Sequence, residues 1–394
     1  MTRIDLTGLD ARPAQVWGGV RLVPLVRPEP MEGLRLHREI YDGYGEEDRD
    51  VHGQAYGEVL LGDRTVYTSY IPHGFVADWS GDGTEAAAYG TRLGGEPPTV
   101  PVRRHHRLAK RLRKDGRAER RLRFLPLHLA LEGYLALHFG GPSVVWDEWS
   151  QQAVRQGLSP RAEAAYAGGR VPGLAEALRI FEIHPGQCGL MLYVADSLAA
   201  AFVVPHPADY RVLHPTLVED LYGELVHQYA CYGAPVAEFT ARIRDTGRIR
   251  TLAGLRAAAG AQERSWAEAH GSLMARDLLE TPYAFERVHR MDSYDLYRFL
   301  PPFQRAGQEQ HIGELIADHK GRTAYLKTFR LSESQIRRGH LLRRLADHDW
   351  HLGRAAQALG TTYAEVVRRV EGAGLGSLLN AHVVARRIRE KRES

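Results

Sequence analysis

The spacing of apolar residues in the first half of the chain predicts short strands separated by turns. Residues 16–26, VWGGVRLVPLV, are typical of a strand pair or of one strand with a bulge. A hairpin is predicted around Gly62-Asp63, and a second strand pair around Asp196-Ser197, with Pro205 ending its second strand. The strands of these pairs are Tyr56–Leu61 with Arg64–Ile71, and Gly189–Ala195 with Ala199–Val204.

Apolar residues at helical spacing predict helices over much of the remaining N-terminal part. A long helix is predicted from about Pro215 to Tyr232, where apolar residues recur every fourth position. Residues 300–320 are interpreted as a connector. Further helices are expected near residues 103–120, 126–138, 146–155, 173–180 and 235–280. The fold class predicted for this part is therefore α+β, mixed and helix-rich.

Residues 341–370 predict a helix, a tight turn and a second helix. Ala355-Ala356 are small residues where two helices must approach closely. Gly360 supplies the turn conformation that only glycine adopts without strain, and Thr361-Thr362 can cap the next helix. The C-terminal part is therefore predicted to be an all-α helix-turn-helix.

The second of these helices has two different faces. Valines at 366, 367 and 370 give it a buried stripe, and its other face shows Tyr363, Arg368 and Arg369. A short helix that buries valines and presents arginines is what a reader of the DNA major groove needs. The alternative is a small helical bundle that packs on its neighbour or on a protein partner.

This segment resembles the Fis-type helix-turn-helix, through Arg354-Ala355-Ala356, Leu359-Gly360 and the later pair Arg368-Arg369. His351 stands where the family usually has Asn, and Glu365 puts a carboxylate where a small polar residue often faces DNA. Tyr363 also replaces a usual Arg. These departures leave the sequence preference and the DNA affinity open.

The resemblance implies a role for each exposed residue of the motif. Tyr363, Arg368 and Arg369 are expected to approach base edges or phosphates. Arg354 is expected to contact the DNA backbone, and Thr362 to cap its helix and touch a phosphate. Because a single such motif reads few base pairs, a homodimer on a twofold site is expected.

The charge distribution agrees with this interpretation. The whole chain has a formal net charge of +4, but residues 321–394 hold 15 Lys and Arg against 7 Asp and Glu, a net of +8. Arg386 and Arg387 in the basic tail could grip phosphates beside the motif, which would make binding depend on salt. The alternative for the tail is a solvated, frayed terminus.

A second resemblance lies upstream, in Gly186-Gln187-Cys188-Gly189, in Tyr229-Ala230 and in the strand around Val23-Pro24-Leu25. These residues resemble the ARPP-type domain, a family associated with ADP-ribosylglycohydrolase and rhodanese-phosphatase proteins in bacterial conflict and stress operons. Residues 57–62 fit its Gly-Glu-x-Leu-x-Gly loosely, but its following Lys-Gln-Asn-Arg is absent. The resemblance implies no settled activity and favours a sensor, a scaffold or a conflict-system component.

The densest cluster of polar residues that could carry chemistry lies at residues 182–219. His206, Asp209 and His214 could hold zinc or a similar metal if they converged. Their spacing matches no strong metal signature, and a hydrogen-bonded loop followed by a helix cap is the favoured interpretation. No metal, no cofactor and no catalytic residue is predicted, and a buried, inert thiol is the interpretation of Cys188.

A second basic block covers residues 103–123 and contains eleven Lys and Arg against two acidic residues. It could bind a nucleic-acid backbone, an acidic surface of its own chain or of a partner, or simply be a solvated helix. Without interleaved aromatic residues, a platform for single strands is not expected. The residues assigned to this patch are Arg103, Arg104, Arg107, Lys110, Arg111, Arg113 and Lys114.

Together these patterns predict three regions: an ARPP-like α+β domain at 1–235, a helical connector region at 236–330 and a Fis-type DNA-binding domain at 331–394. The expected function is that of a cytoplasmic bacterial protein that binds double-stranded DNA, with protein partners from the same operon and no membrane segment. One alternative is an enzyme that acts on a nucleotide or nucleic acid. The other is an assembly protein that does not bind DNA.

Overall fold

The computed structural model describes residues 2–36, four short strands between residues 58 and 87, and residues 181–379 apart from brief gaps, several of them between 240 and 248. Fourteen strands belong to the described part of the chain. In chain order they are Asp10–Ala11 (β1), Gln15–Trp17 (β2), Val20–Val26 (β3), Leu34–Leu36 (β4), Glu58–Leu60 (β5), Val66–Thr68 (β6), Val76–Trp79 (β7), Glu85–Ala87 (β8), Gln187–Val194 (β9), Ser197–Val203 (β10), Ala284–Met291 (β11), Tyr294–Leu300 (β12), His311–Asp318 (β13) and Thr323–Arg330 (β14).

Nine of these strands form one antiparallel sheet in the order β1-β3-β9-β10-β14-β13-β12-β11, with β2 also pairing with β3. Strands β4, β7 and β8 form a separate sheet, and β5 pairs with β6. The β5–β6 pairing confirms the predicted hairpin, with Val59 opposite Tyr67. The β9–β10 pair confirms the other, although its turn lies one residue earlier, at Ala195 and Asp196, which both have positive φ. Two such residues suit the two-residue turns that join twisted strands.

The predicted pair within residues 16–26 is confirmed as β2 and β3, and glycine is needed at their turn. Gly18 has a φ of +56°, and a Cβ there would lie 2.3 Å from the carbonyl oxygen of Ala230. The amide of Gly19 donates to the Tyr229 carbonyl, at 3.0 Å. The turn therefore docks against the end of a helix that lies more than 200 positions away in the sequence.

Seven α-helices belong to the described residues. They are Pro207–Thr216 (α1), Gly223–Tyr232 (α2), Leu252–Ala269 (α3), Arg276–Glu280 (α4), Glu333–Asp347 (α5), Leu352–Ala358 (α6) and Tyr363–Gly372 (α7). A π-helical turn, His270–Met274, joins α3 to α4, and a short 3-10 turn follows α7 at Gly376–Leu379.

The predicted helix-rich fold class is wrong, because the large sheet reaches from residue 10 to residue 330. Much of the predicted helical connector at 236–330 consists of β11–β14. The charged residues at 314 and 327 interrupt the apolar runs of β13 and β14 and hide the strand pattern in the sequence. The sheet also crosses the predicted boundary at residue 235.

The single long helix predicted at 215–232 is also wrong, because the chain forms α1 and α2 instead. Pro215 lies near the end of α1 rather than at a helix start. The helix begins after His206, whose imidazole Nδ1 accepts a hydrogen bond from the Ala208 amide at 3.1 Å. The helices predicted at 103–120, 126–138, 146–155 and 173–180 lie outside the described residues.

The core lies on both faces of the central strands, since every residue of β9 and β13 is buried. Helix α1 covers one face with Tyr210 and Leu213. On β9, the Tyr193 hydroxyl lies 2.7 Å from the Nε2 atom of His270 in the π-helical turn. Full burial on both faces makes the sheet the rigid frame that positions the sites below.

Candidate functional site

Helices α6 and α7 and the turn between them form the region where the sequence predicts DNA contacts. Ala355 and Ala356 are buried where the two helices meet, and Gly360 has a φ of +61°. Thr362 caps α7, its Oγ1 atom accepting a hydrogen bond from the Glu365 amide at 3.2 Å. The close approach, the glycine turn and the threonine cap are therefore confirmed at these positions.

His351 supports this geometry although it departs from the family motif. Its Nδ1 atom accepts a hydrogen bond from the Arg354 amide at 3.3 Å, which caps α6. Asn caps helices in the same way, with a side-chain oxygen as the acceptor. The departure at this position therefore changes the chemistry of the cap while keeping the cap itself.

The two predicted faces of α7 are present. Val366 and Val370 are buried, while Tyr363 is 58% exposed on the other side. Val367, predicted to share the buried stripe, is half-buried. Helix α7 therefore has the amphipathic form that the valine spacing predicts.

Glu365 neutralises part of the exposed basic face. It forms ion pairs with Arg368 and with Arg369, whose Nε atom lies 2.9 Å from a carboxylate oxygen. These contacts, the hydrogen bond from Arg369 first, hold the pKa of Glu365 below its usual value. Any phosphate that approaches α7 must therefore compete with a carboxylate for both guanidinium groups.

The remaining residues assigned to nucleic-acid contact are less informative. Arg354 is exposed on α6. Arg386 and Arg387 lie outside the described residues, as does the whole second patch: Arg103, Arg104, Arg107, Lys110, Arg111, Arg113 and Lys114. Their assignments stay predictions.

His206, Asp209 and His214 each have a separate structural role. His206 caps α1. Asp209 is buried and accepts hydrogen bonds from the Nε and Nη2 atoms of Arg35 at 2.6–3.1 Å. Within the described ranges, no group of three His, Cys, Asp or Glu side chains is arranged to hold a metal.

His214 belongs to a buried chain of hydrogen bonds that fixes its tautomer. Gln187 Nε2 donates to the Tyr210 hydroxyl, which lies 2.9 Å from Nδ1 of His214. Nε2 of His214 lies 2.9 Å from the Phe181 carbonyl, an acceptor only, so this nitrogen carries the proton. Burial lowers the pKa of His214, in keeping with a neutral ring. These hydrogen bonds connect the Gly-Gln-Cys-Gly segment to α1, so their role is structural.

Four charged residues cross one face of the sheet in a row that was not singled out from the sequence. The pairing register places Glu286 opposite Arg298, Arg298 opposite Glu314, and Glu314 opposite Lys327. Direct partners on adjacent strands share a face, so opposite charges alternate along the row. Glu286 is largely exposed, whereas Glu314 and Lys327 are buried. Loss of hydration lowers the pKa of Lys327 to about 7, and Glu314 opposes that shift.

The two cysteines differ in environment. Cys188 is buried in β9, as predicted, and desolvation raises the pKa of its thiol. Cys231 is exposed on α2. None of the helices in the described residues is long and apolar enough to cross a membrane.

Most of the chain is similar to one known protein family. The model of the ARPP-2 family matches residues 4–292, which is most of the chain and includes β1–β3, β9 and β10. The chain therefore belongs to the ARPP-2 family, and the match extends past the boundary predicted at residue 235. No curated protein and no solved structure matches the chain.

Proposed function

We propose that this ARPP-2 protein binds double-stranded DNA through α6 and α7. The observation that carries the proposal is the division of α7, whose valines are buried while Tyr363, Arg368 and Arg369 are exposed. The net charge of +8 over residues 321–394 supports the same assignment. In this proposal the family domain senses a signal or assembles with partners, and two copies of the chain bind a twofold DNA site.

The direct test is the double variant Arg368→Ala with Arg369→Ala, measured by fluorescence anisotropy on duplex DNA across a salt series. We expect duplex binding to be lost. Where residual binding is measurable, the logarithm of the binding constant should fall less steeply with the logarithm of the salt concentration. The slope should decrease in magnitude by about 2, roughly one for each phosphate contact removed. Circular dichroism should stay unchanged, because both side chains are exposed.

The matched control removes two arginines elsewhere. Arg276→Ala with Arg287→Ala makes the same change in net charge at half-exposed positions of α4 and β11. This variant should bind DNA like the wild type. Equal binding by all three proteins would remove α7 from the DNA interface.

A second candidate function is favoured by Glu365. A recognition helix whose arginines are already paired, and whose exposed tyrosine offers apolar surface, also fits a protein contact. Glu365→Gln separates the two candidates, because it frees both guanidinium groups. DNA binding predicts a gain in affinity of roughly three- to tenfold from the added net positive charge, whereas a protein-contact helix predicts no DNA binding in either form.

A further inference from the structure

A cleft of about 850 Å³ opens at one end of the large sheet. Its walls come from the loop after β3, from the start of the chain and from the turns that join β11 to β12 and β13 to β14. Its volume lies within the range of small-molecule sites. Three arginines line it: Arg27, Arg35 and Arg322.

Two of these arginines are neutralised within the cleft. Arg35 is held by Asp209, and the Nε atom of Arg322 donates to Asp318 at 2.8 Å. Both arginine side chains are about half exposed. Each therefore forms an ion pair that carries little net charge.

Arg27 differs from both. It is only 4% exposed, and its guanidinium donates one hydrogen bond, from Nη2 to the Thr323 carbonyl at 2.7 Å. Its Nε atom is buried without a hydrogen-bond partner. No ion pair found among the described residues includes it. The Cys188 thiol lies near the guanidinium, and burial raises the pKa of this thiol.

A buried guanidinium without a carboxylate is unfavourable, because the desolvated charge lacks compensation. It becomes favourable when an anion enters, since the guanidinium fork presents parallel donors that match phosphate oxygens. We propose that this cleft binds the phosphate group of a small monophosphate ester at Arg27. Met31, Pro28 and Tyr294 supply apolar surface that can cover the rest of the ligand.

The size and charge of the ligand follow from the rim. Glu29 and Glu32 line the cleft and are exposed. Their charges oppose a polyanion, so the site suits a compact ligand with one phosphate rather than a nucleic acid. This site is separate from α7, and the proposal does not depend on DNA binding.

The test uses inorganic phosphate as the probe and the full chain as the protein. Isothermal titration calorimetry at low ionic strength should detect phosphate binding by the wild type, with acetate at equal concentration as the carboxylate probe. Arg27→Gln should weaken phosphate binding at least tenfold. The Arg368→Ala with Arg369→Ala variant should keep it, which separates this site from the proposed DNA interface.

Thr7→Glu provides a second variant, in case Arg27→Gln does not fold. Thr7 is exposed and lines the cleft, so a carboxylate there should also weaken phosphate binding, whereas Thr2→Glu adds the same charge at an exposed residue outside the lining. Absence of phosphate binding by the wild type would overturn the proposal. So would acetate binding as tightly as phosphate, or unchanged affinity in a folded Arg27→Gln or Thr7→Glu variant.

Discussion

In the large sheet, Arg298, Glu314 and Lys327 lie side by side on three strands and become progressively more buried. On α7, by contrast, Arg368 and Arg369 are exposed and pair with a partly buried Glu365. Both clusters bring opposite charges together, but their surroundings differ. A buried ion that loses its partner is strongly destabilising, whereas an exposed pair contributes little because water replaces either partner. The sheet charges should therefore govern stability, and the helix charges should govern binding.

The largest expected effect follows from removing the buried carboxylate. Glu314→Gln leaves Lys327 buried without the opposite charge beside it, and at pH 7 its amine can respond by losing its proton. The free energy of unfolding should therefore fall by about 1–3 kcal/mol, the cost of leaving a buried polar group without its partner. Chemical denaturation at pH 7 measures the change. The control is Glu286→Gln, at the exposed end of the same row, where the expected loss is below about 1 kcal/mol. Equal losses at the two positions would show that burial does not set the energetics of the row.

The pH dependence of stability sharpens the same comparison. The pKa of Lys327 is lowered in the folded protein to about 7, from an ordinary value of 10.5. Between these values the unfolded chain binds the extra proton, so the contribution of Lys327 to stability rises as the pH rises. The slope is at most about 1.4 kcal/mol for each pH unit.

Lys327→Met removes the titrating group and should flatten the increase in unfolding free energy between pH 7 and pH 9. Lys320→Met, in the exposed turn between β13 and β14, is the matched control and should leave the slope unchanged. If the wild type and Lys327→Met show the same slope, then Lys327 does not titrate in this window.

The sequence predicted elements well where the signal is local. The cap, the small alanines and the glycine turn of α6 and α7 all lie within a dozen residues, and the β9–β10 hairpin joins two strands that are adjacent in the sequence. These elements depend on backbone conformation and on neighbours in the sequence, which single residues such as Gly360 reveal.

Local sequence signals do not reveal the large sheet, for two physical reasons. Strand β3 pairs with β9, with Val23 opposite Met191, and pairing across such a distance leaves no local pattern. Lys327 and Glu314 each look like surface residues in the sequence, and only their register as cross-strand partners explains their burial. Arg27 is likewise a charged residue that is buried in the fold. Its position directly after an apolar strand is the sequence signal that points to this burial.

The smallest expected effect concerns the cap of α7, and it tests whether Thr362 serves the fold or the proposed ligand. Thr362→Ala removes the hydrogen bond to the Glu365 amide and should destabilise the helix by about 1 kcal/mol. Hydrogen exchange of the α7 amides measures this directly. Thr362→Ser keeps the hydroxyl and should restore protection.

If Thr362 is only a structural cap, Thr362→Ala should lower the protection of the α7 amides against hydrogen exchange. The DNA affinity of this variant should then fall only in proportion to the small fraction of molecules in which α7 is frayed. A phosphate contact predicts an additional loss of DNA affinity under conditions in which α7 remains fully formed. Because α7 is anchored by buried Val366 and Val370, a loss of about 1 kcal/mol should not unfold the helix. The experiment can therefore distinguish a structural cap from a phosphate contact. Unchanged hydrogen exchange in Thr362→Ala would show that the valine packing alone fixes the helix start.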